Sequence, residues 1–350
     1  MAKSPPKRKT EAAESRFPHP RRTLSLIGQD AALGLAARAI RSACPPQAWL
    51  ISGPPGVGKA TLAYRIARYL LAYGATDKGA ADLELAANDP VSLQVAAGAH
   101  PGLLLLQRGP HPDTGKMMTV LGVDEIRKLN GFFGMTSGAG GWRVAIVDSA
   151  DEMNDNAANA LLKLLEEPPA RAMVLVLSST PGRLLPTIRS RCQRLVLRTL
   201  DGAVLAEALK QYLPELNEEE RARLARLSGG SLGAALRLAG GEGEALAAEA
   251  ERLVDNAAQP DLVALMGLGE RLYRITDGLE KFGGFLAEAL AERIRVRAET
   301  GAPGLSAWTA ALVRLKDGFA RADGLNLEPR QTILSAARDL SRAARRGGRI

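Results

Sequence analysis

The chain has 350 residues, 46% of them hydrophobic, enough for two or three domains with ordinary cores. No stretch reaches the roughly 18 apolar residues of a membrane span, no apolar segment follows the basic N-terminus to make a secretory signal, and two cysteines, Cys44 and Cys192, exclude a disulfide framework and point to a reducing, cytoplasmic setting. The formal charge of +8 sits at the ends, net +5 in residues 1–22 and net +4 in residues 338–350, which leaves −1 between them and describes two solvated basic tails rather than a basic domain.

In chain order, the apolar run QAWLISG (47–53) predicts a strand, GPPGVGKA (53–60) a glycine-rich turn, and KATLAYRIARYLLAYG (59–74) a helix stopped by glycine. Residues 76–115 are punctuated by Gly, Ala and Pro and read as loop, with one short strand around GLLLLQR (102–108). A helix over 123–135 and a buried strand, WRVAIVD (142–148), come next. The helix of NDNAANALLKLLEEPP (154–169) follows, with Ala160, Leu161, Leu164 and Leu165 on one face and Pro168 as its stop. AMVLVLSST (172–180) is a further buried strand, then LLPTIRSRC (184–192) a helix and QRLVL (193–197) a strand. Strands alternating with helices imply an α/β domain, a parallel sheet with helices on both faces, over about 23–199. From about residue 200 strand signals stop, and helices fill 200–243 and 244–337 before the second basic tail.

The chemistry concentrates in the first turn. Strand, then Gly53, Gly56, Gly58 and Lys59, then helix, is the context of a phosphate-binding loop. Pro54 and Pro55 have no N–H, so the phosphate donors fall to residues 56–60 at a helix N-terminus. The magnesium-holding Ser or Thr that should follow the lysine is Ala60, and Thr61 is rotated by about 100° away from that position. Asp148 ends its strand where a second acid helps hold magnesium, but Ser149 stands where an ATPase would keep a water-orienting Glu. Asp151 reads as a turn or capping residue outside the site.

The segments GPPGVGKAT, IVDSADEMNDNAANALLKLLEEPP, SSTPGRLLPTIRSRC and GGSLGAAL, in this order, resemble the AAA+ clamp-loader family of bacterial DNA polymerase III over residues 23 to about 240. The resemblance implies an AAA+ module, a small helical lid (200–243) and an all-α collar (244–337). It also implies a hetero-oligomeric ring with ATP-hydrolysing gamma/tau motor subunits and a delta subunit, which sets a sliding clamp on primer-template DNA. Arg191 then matches the finger that a non-hydrolysing stator member lends to a neighbouring motor's ATP, and Thr180 matches the first sensor. The second-sensor arginine is replaced by Gly233, with Arg237 one turn on read as an exposed lid residue. Cys192 reads as a small buried hydrophobe. Arg127 and Lys128 match a region facing DNA in the ring's chamber, and a solvated helix face is the other reading. Residues 60–147 hold no cysteine and only His100 and His111, so no zinc is expected, since a structural site takes about four such ligands. Taken together, the chain's own site is expected to bind ATP weakly without turnover, or none. The competing readings are a working AAA+ motor subunit that retains Lys59 and Asp148, and a nucleic-acid-binding protein acting through its basic tails.

Overall fold

A five-stranded, all-parallel sheet organises the first half of the computed structural model, which describes residues 18–76, 78–109, 118, 120–134, 141–239, 242–275, 278–301, 303–324, 327–348 and 350. Most of the expected N-terminal tail and His111 lie outside the described residues. The chain divides into two units, Met1–Arg198 and Thr199–Ile350.

The first unit runs α1 (Asp30–Ile40), β1 (Ala48–Ser52), α2 (Lys59–Tyr73), α3 (Pro90–Ala97), β2 (Leu103–Leu106), α4 (Val123–Gly134), β3 (Arg143–Val147), α5 (Asp155–Glu166), β4 (Ala172–Ser178), α6 (Pro186–Arg191) and β5 (Gln193–Val196). The strand order is β2-β3-β4-β1-β5, with β1 between β4 and β5. The chain leaves β1 for the far edge and returns, so the carboxyl ends of β1, β3 and β4 converge where an open α/β sheet forms its ligand crevice. Alternate side chains of each strand enter two separate cores. Trp49, Ile51, Ile146, Leu175 and Leu177 pack with α1 and α2. Leu50, Val147, Val174 and Val176 pack on the other face with Ile126 of α4, Leu161 and Leu165 of α5, and Ile188 of α6.

The second unit is entirely helical among its described residues: α7 (Gly202–Tyr212), α8 (Glu218–Leu227), α9 (Leu232–Leu238), α10 (Glu242–Asp255), α11 (Leu262–Arg274), α12 (Gly278–Glu299), α13 (Leu305–Gly324) and α14 (Pro329–Gly347). Helices α10 to α14 share one core built on Phe282, Leu286, Leu290, Trp308, Phe319 and Leu340.

Two expectations need correction. Residues 90–97, read as loop, form α3: the Asp89 carboxylate caps it by accepting the Val91 N–H at 2.8 Å, Pro90 opens it, and Gly98 ends it at φ 72°. The helix has only eight residues, too few for its apolar spacing to show as a period. The C-terminal basic segment is not a solvated tail through residue 347 but the last turns of α14, because Leu340, Ala343 and Gly347 are buried while Arg338, Arg342, Arg345 and Arg346 take the outer face.

Two measurements follow from this unit. Leu340→Ala should cost about 2–5 kcal/mol in denaturant unfolding, whereas a solvated tail would show no change. Glu288 of α12, with Gly229 packed against it, has its carboxyl pushed up to about 7 by burial, with Lys316 opposing. Its folded pKa lies above the unfolded one, so its contribution to stability falls as pH rises from about 4.5 to 7. Glu288→Gln should therefore raise Tm at pH 8 by the equivalent of roughly 1–2 kcal/mol, after allowing for solvent screening, and change little at pH 4; an equal gain at both pH values would refute this.

Candidate functional site

The loop between β1 and α2 turns on three left-handed glycines, Gly53 (φ 151°), Gly56 (φ 79°) and Gly58 (φ 103°). A side chain at Gly53 would collide with the Leu197 carbonyl after β5, and one at Gly58 would meet Leu26. Lys59 begins α2, and its ammonium makes three hydrogen bonds: to the Gly53 carbonyl at 2.8 Å, the Pro54 carbonyl at 2.9 Å and Ser179 Oγ at 2.8 Å. An ammonium has three donors, so all of them are engaged within the chain. Burial lowers the Lys59 pKa, and the carboxylates of Asp151 first and Asp148 second oppose that shift.

Ser179 comes from the end of β4. The parallel register sets Ser52 beside Ser178, so the residue after β4 arrives next to the glycine turn. The Ser179 N–H in turn donates to Asp151 Oδ1 at 3.1 Å. Asp151 therefore belongs to the site, contrary to the expectation that a turn would carry it away. Ser149 adopts a left-handed conformation (φ 55°, ψ 50°), and the short 3-10 turn that follows, Ala150–Glu152, carries Asp151 back toward β4. Asp148 lies just after β3, with its N–H donated to the Leu106 carbonyl at 2.8 Å. Burial raises its carboxyl pKa, and the Ser149 N–H, Lys59 and His19 pull it back.

Sequence reasoning also missed Gln29. Its amide donates to the Arg198 carbonyl at 2.7 Å and the Val57 carbonyl at 3.4 Å and accepts the Arg198 N–H at 3.3 Å, tying the phosphate-type loop to the end of the sheet. Gln29 is 5% exposed, and a buried amide 28 positions before its partner leaves no local pattern to detect.

The other expected residues fall in separate places. Thr180 is exposed beyond β4, its N–H donated to Ser178 Oγ. Arg127 and Lys128 lie exposed on α4, paired with Asp124 at 3.0 Å and Glu125 at 2.6 Å one turn back. Gly233 is the second residue of α9, and Arg237 is exposed in its last turn. Arg191 closes α6, on the sheet face opposite α2, where it is exposed and paired with Glu166 at 2.8 Å. Cys192 beside it is buried, which pushes its thiol up to about 11. His100 Nδ1 accepts the Gly102 N–H, and no group of three or more His, Cys, Asp or Glu is gathered for a metal among the described residues. No described helix is long and apolar enough to cross a membrane.

The donor set keeps a phosphate-loop lysine but offers no side-chain hydroxyl at position 60 for a magnesium ion. The methyl of Ala60 packs against the α2-side core where a hydroxyl would hold the metal, and a phosphate reaching Lys59 would have to displace at least one of three oxygens.

Residues 28–201 match the sequence family described as DNA polymerase III, delta subunit. The DNA polymerase III subunit delta' of Pseudomonas aeruginosa is 39% identical over 193 residues, 55% of this chain and 56% of that protein. The subunit delta' of Escherichia coli is 36% identical over 202 residues, 56% of this chain and 55% of that one. A gamma/tau subunit of Mycobacterium tuberculosis is 30% identical over 215 residues, 59% of this chain and 34% of that one. The chain thus spans about half the length of the delta' relatives it matches.

If the Lys59 ammonium is held as described, Ser179→Ala should destabilise the chain by about 1–2 kcal/mol in urea unfolding, as expected for a lost hydrogen bond to a partly buried charge. In a cycle with Lys59→Met the two losses should be less than additive, and strict additivity would mean that the pair does not interact.

Proposed function

From the premise that this chain belongs, over residues 28–201, to the DNA polymerase III delta-prime family of clamp-loader subunits, we propose that it is the stator of a bacterial clamp loader. In this reading it assembles with gamma/tau motor subunits and a delta subunit in the cytoplasm to set the sliding clamp on primer-template DNA. It turns over no ATP itself and lends Arg191 to the ATP of the neighbouring motor.

The observation that carries this reading is the contrast between two cations. Lys59, the residue that should meet the outer phosphates, has all three donors engaged by its own chain. Arg191 stands exposed on the opposite face of the sheet with donors to spare. Alanine at 60, serine at 149 and glycine at 233 each replace a group that magnesium, the attacking water or the outer phosphates would need. A finger supplied to a partner requires only the fold and the interface. Its fixed positive charge beside the transferred phosphoryl group is worth roughly 10³–10⁵ in rate, or about 4–7 kcal/mol of barrier. Residues 200–243 act as the lid and α10 to α14 as the collar that joins the ring, and no zinc is needed. Any contact of Arg127 and Lys128 with DNA is to phosphates and follows the loss of their ion pairs on α4.

The second reading, a motor subunit of weak activity, is favoured by the retained Lys59 and Asp148 and by the similarity to a gamma/tau subunit. Steady-state ATP turnover of the purified chain separates the two. The stator reading expects turnover no higher than that of Lys59→Ala, and turnover that disappears with Lys59→Ala would establish the motor. In the assembled loader, Arg191→Ala should lower hydrolysis by roughly 10³–10⁵ at the one motor site it faces.

A further inference from the structure

Arg191 is a long side chain at the end of a six-residue helix, and left to itself it would sample many rotamers. It does not stand by itself. Nη1 donates to the Thr187 carbonyl one turn back at 3.2 Å, and Nη2 donates to Glu166 Oε1 at 2.8 Å. Glu166 is the last residue of α5, where the uncapped carbonyls make a helix end negative. A carboxylate is electrostatically misplaced there unless a cation joins it. The pair also ties α5 to α6, and both side chains remain accessible, Glu166 at 50% and Arg191 at 37% exposure.

We propose that Glu166 is a positioning residue for the arginine finger: with the Thr187 carbonyl it holds the Arg191 guanidinium in a fixed pose that leaves its remaining donors for a phosphate on the neighbouring subunit. The proposal rests on the finger reading above. A guanidinium has five N–H donors, and the two internal bonds use one on each terminal nitrogen. Nε–H and one hydrogen on each Nη remain, a fork still able to grip a phosphoryl group through two oxygens. Two intrachain anchors fix the side chain before the partner arrives, so less rotamer freedom is lost when the phosphate is engaged. Because the anchoring carboxylate is half exposed, solvent screens it, and it neutralises only a fraction of the guanidinium charge. Orientation therefore outweighs the loss of field, and Glu166 should assist hydrolysis rather than restrain it.

The test is clamp- and DNA-stimulated ATP turnover by the reconstituted loader containing this chain as wild type, Glu166→Ala, Glu166→Gln, Arg191→Ala or the Ala/Ala double variant. Assembly is checked by size exclusion. Glu166→Ala should lower kcat at the motor site that Arg191 faces on the order of two- to fivefold, the worth of an exposed ion pair, and total turnover by the share of that site, with KM for ATP unchanged. Glu166→Gln keeps an acceptor and should lose less than twofold. On the Arg191→Ala background, Glu166→Ala should do nothing further. Should Glu166→Ala fail to assemble, Glu166→Ser, a short side chain suited to an exposed helix end, takes its place with the same expectation. If Arg191→Ala lowers turnover while the short variants at 166 leave kcat unchanged or raise it, the positioning role is wrong and the finger stands. A further loss on the Arg191→Ala background would show that Glu166 acts elsewhere. Turnover unaffected by Arg191→Ala would overturn the finger and the positioning role together.

Discussion

The site depends on one electrostatic requirement, the stabilisation of a partly buried ammonium. Lys59 is drawn into the crook of its own loop, where burial lowers its pKa. Two carbonyls and a hydroxyl take its three donors, and Asp151 and Asp148 hold the positive charge in place. Meeting that requirement recruits distant parts of the chain. The left-handed glycines let the Gly53 and Pro54 carbonyls turn inward, the β1–β4 register delivers Ser179, and the left-handed Ser149 delivers Asp151, which anchors the Ser179 backbone. Gln29 then fixes the far side of the same loop to Arg198.

The sheet keeps the glycine-loop region and the Arg191 region on separate cores. Alternation along each strand sends Ile51, Leu175 and Leu177 into the core beneath α2, and Leu50, Val174 and Val176 into the core beneath α5 and α6. The two cores share only the backbone of the strands. Alanine at 60 settles into the first core and relieves no contact in the second, so Arg191 and its helix keep their support from Ile188, Cys192 and α5. On the reading proposed above, the face that carries Arg191 can stay in order whatever residue stands at position 60 on the other side of the sheet.

What the sequence made legible was local. The strands around residues 48–52, 143–147 and 172–178 stand out because a parallel sheet buried on both faces needs continuous apolar runs, and the glycine loop stands out because only glycine takes those backbone angles. Asn154 before α5 is legible for the same reason, as a side chain that caps its own helix by accepting the Ala157 N–H. Helix α3 was hidden by its shortness, and the end of α14 by its arginines, whose charge masks the spacing of Leu340 and Ala343. Asp151 was misplaced because a left-handed serine is a rare choice that no pattern signals, so the chain was expected to run on from β3 rather than turn back.

The pairings that give the site its character were beyond that kind of reading. Lys59 meets Ser179 across 120 positions, Gln29 meets Arg198 across 169, and Arg191 meets Glu166 across a helix, a strand and two turns. Each partner is an ordinary residue in its own segment: a serine ending a strand, a glutamine opening a helix, a glutamate closing one. A motif can show that Lys59 stands where a phosphate-binding lysine stands, but whether its donors are free is decided by residues far along the chain that the motif does not include. A glycine loop with its lysine intact is therefore weak grounds for assigning nucleotide turnover. In this chain the three donors of Lys59 meet oxygens from two segments, the glycine loop and the residue after β4.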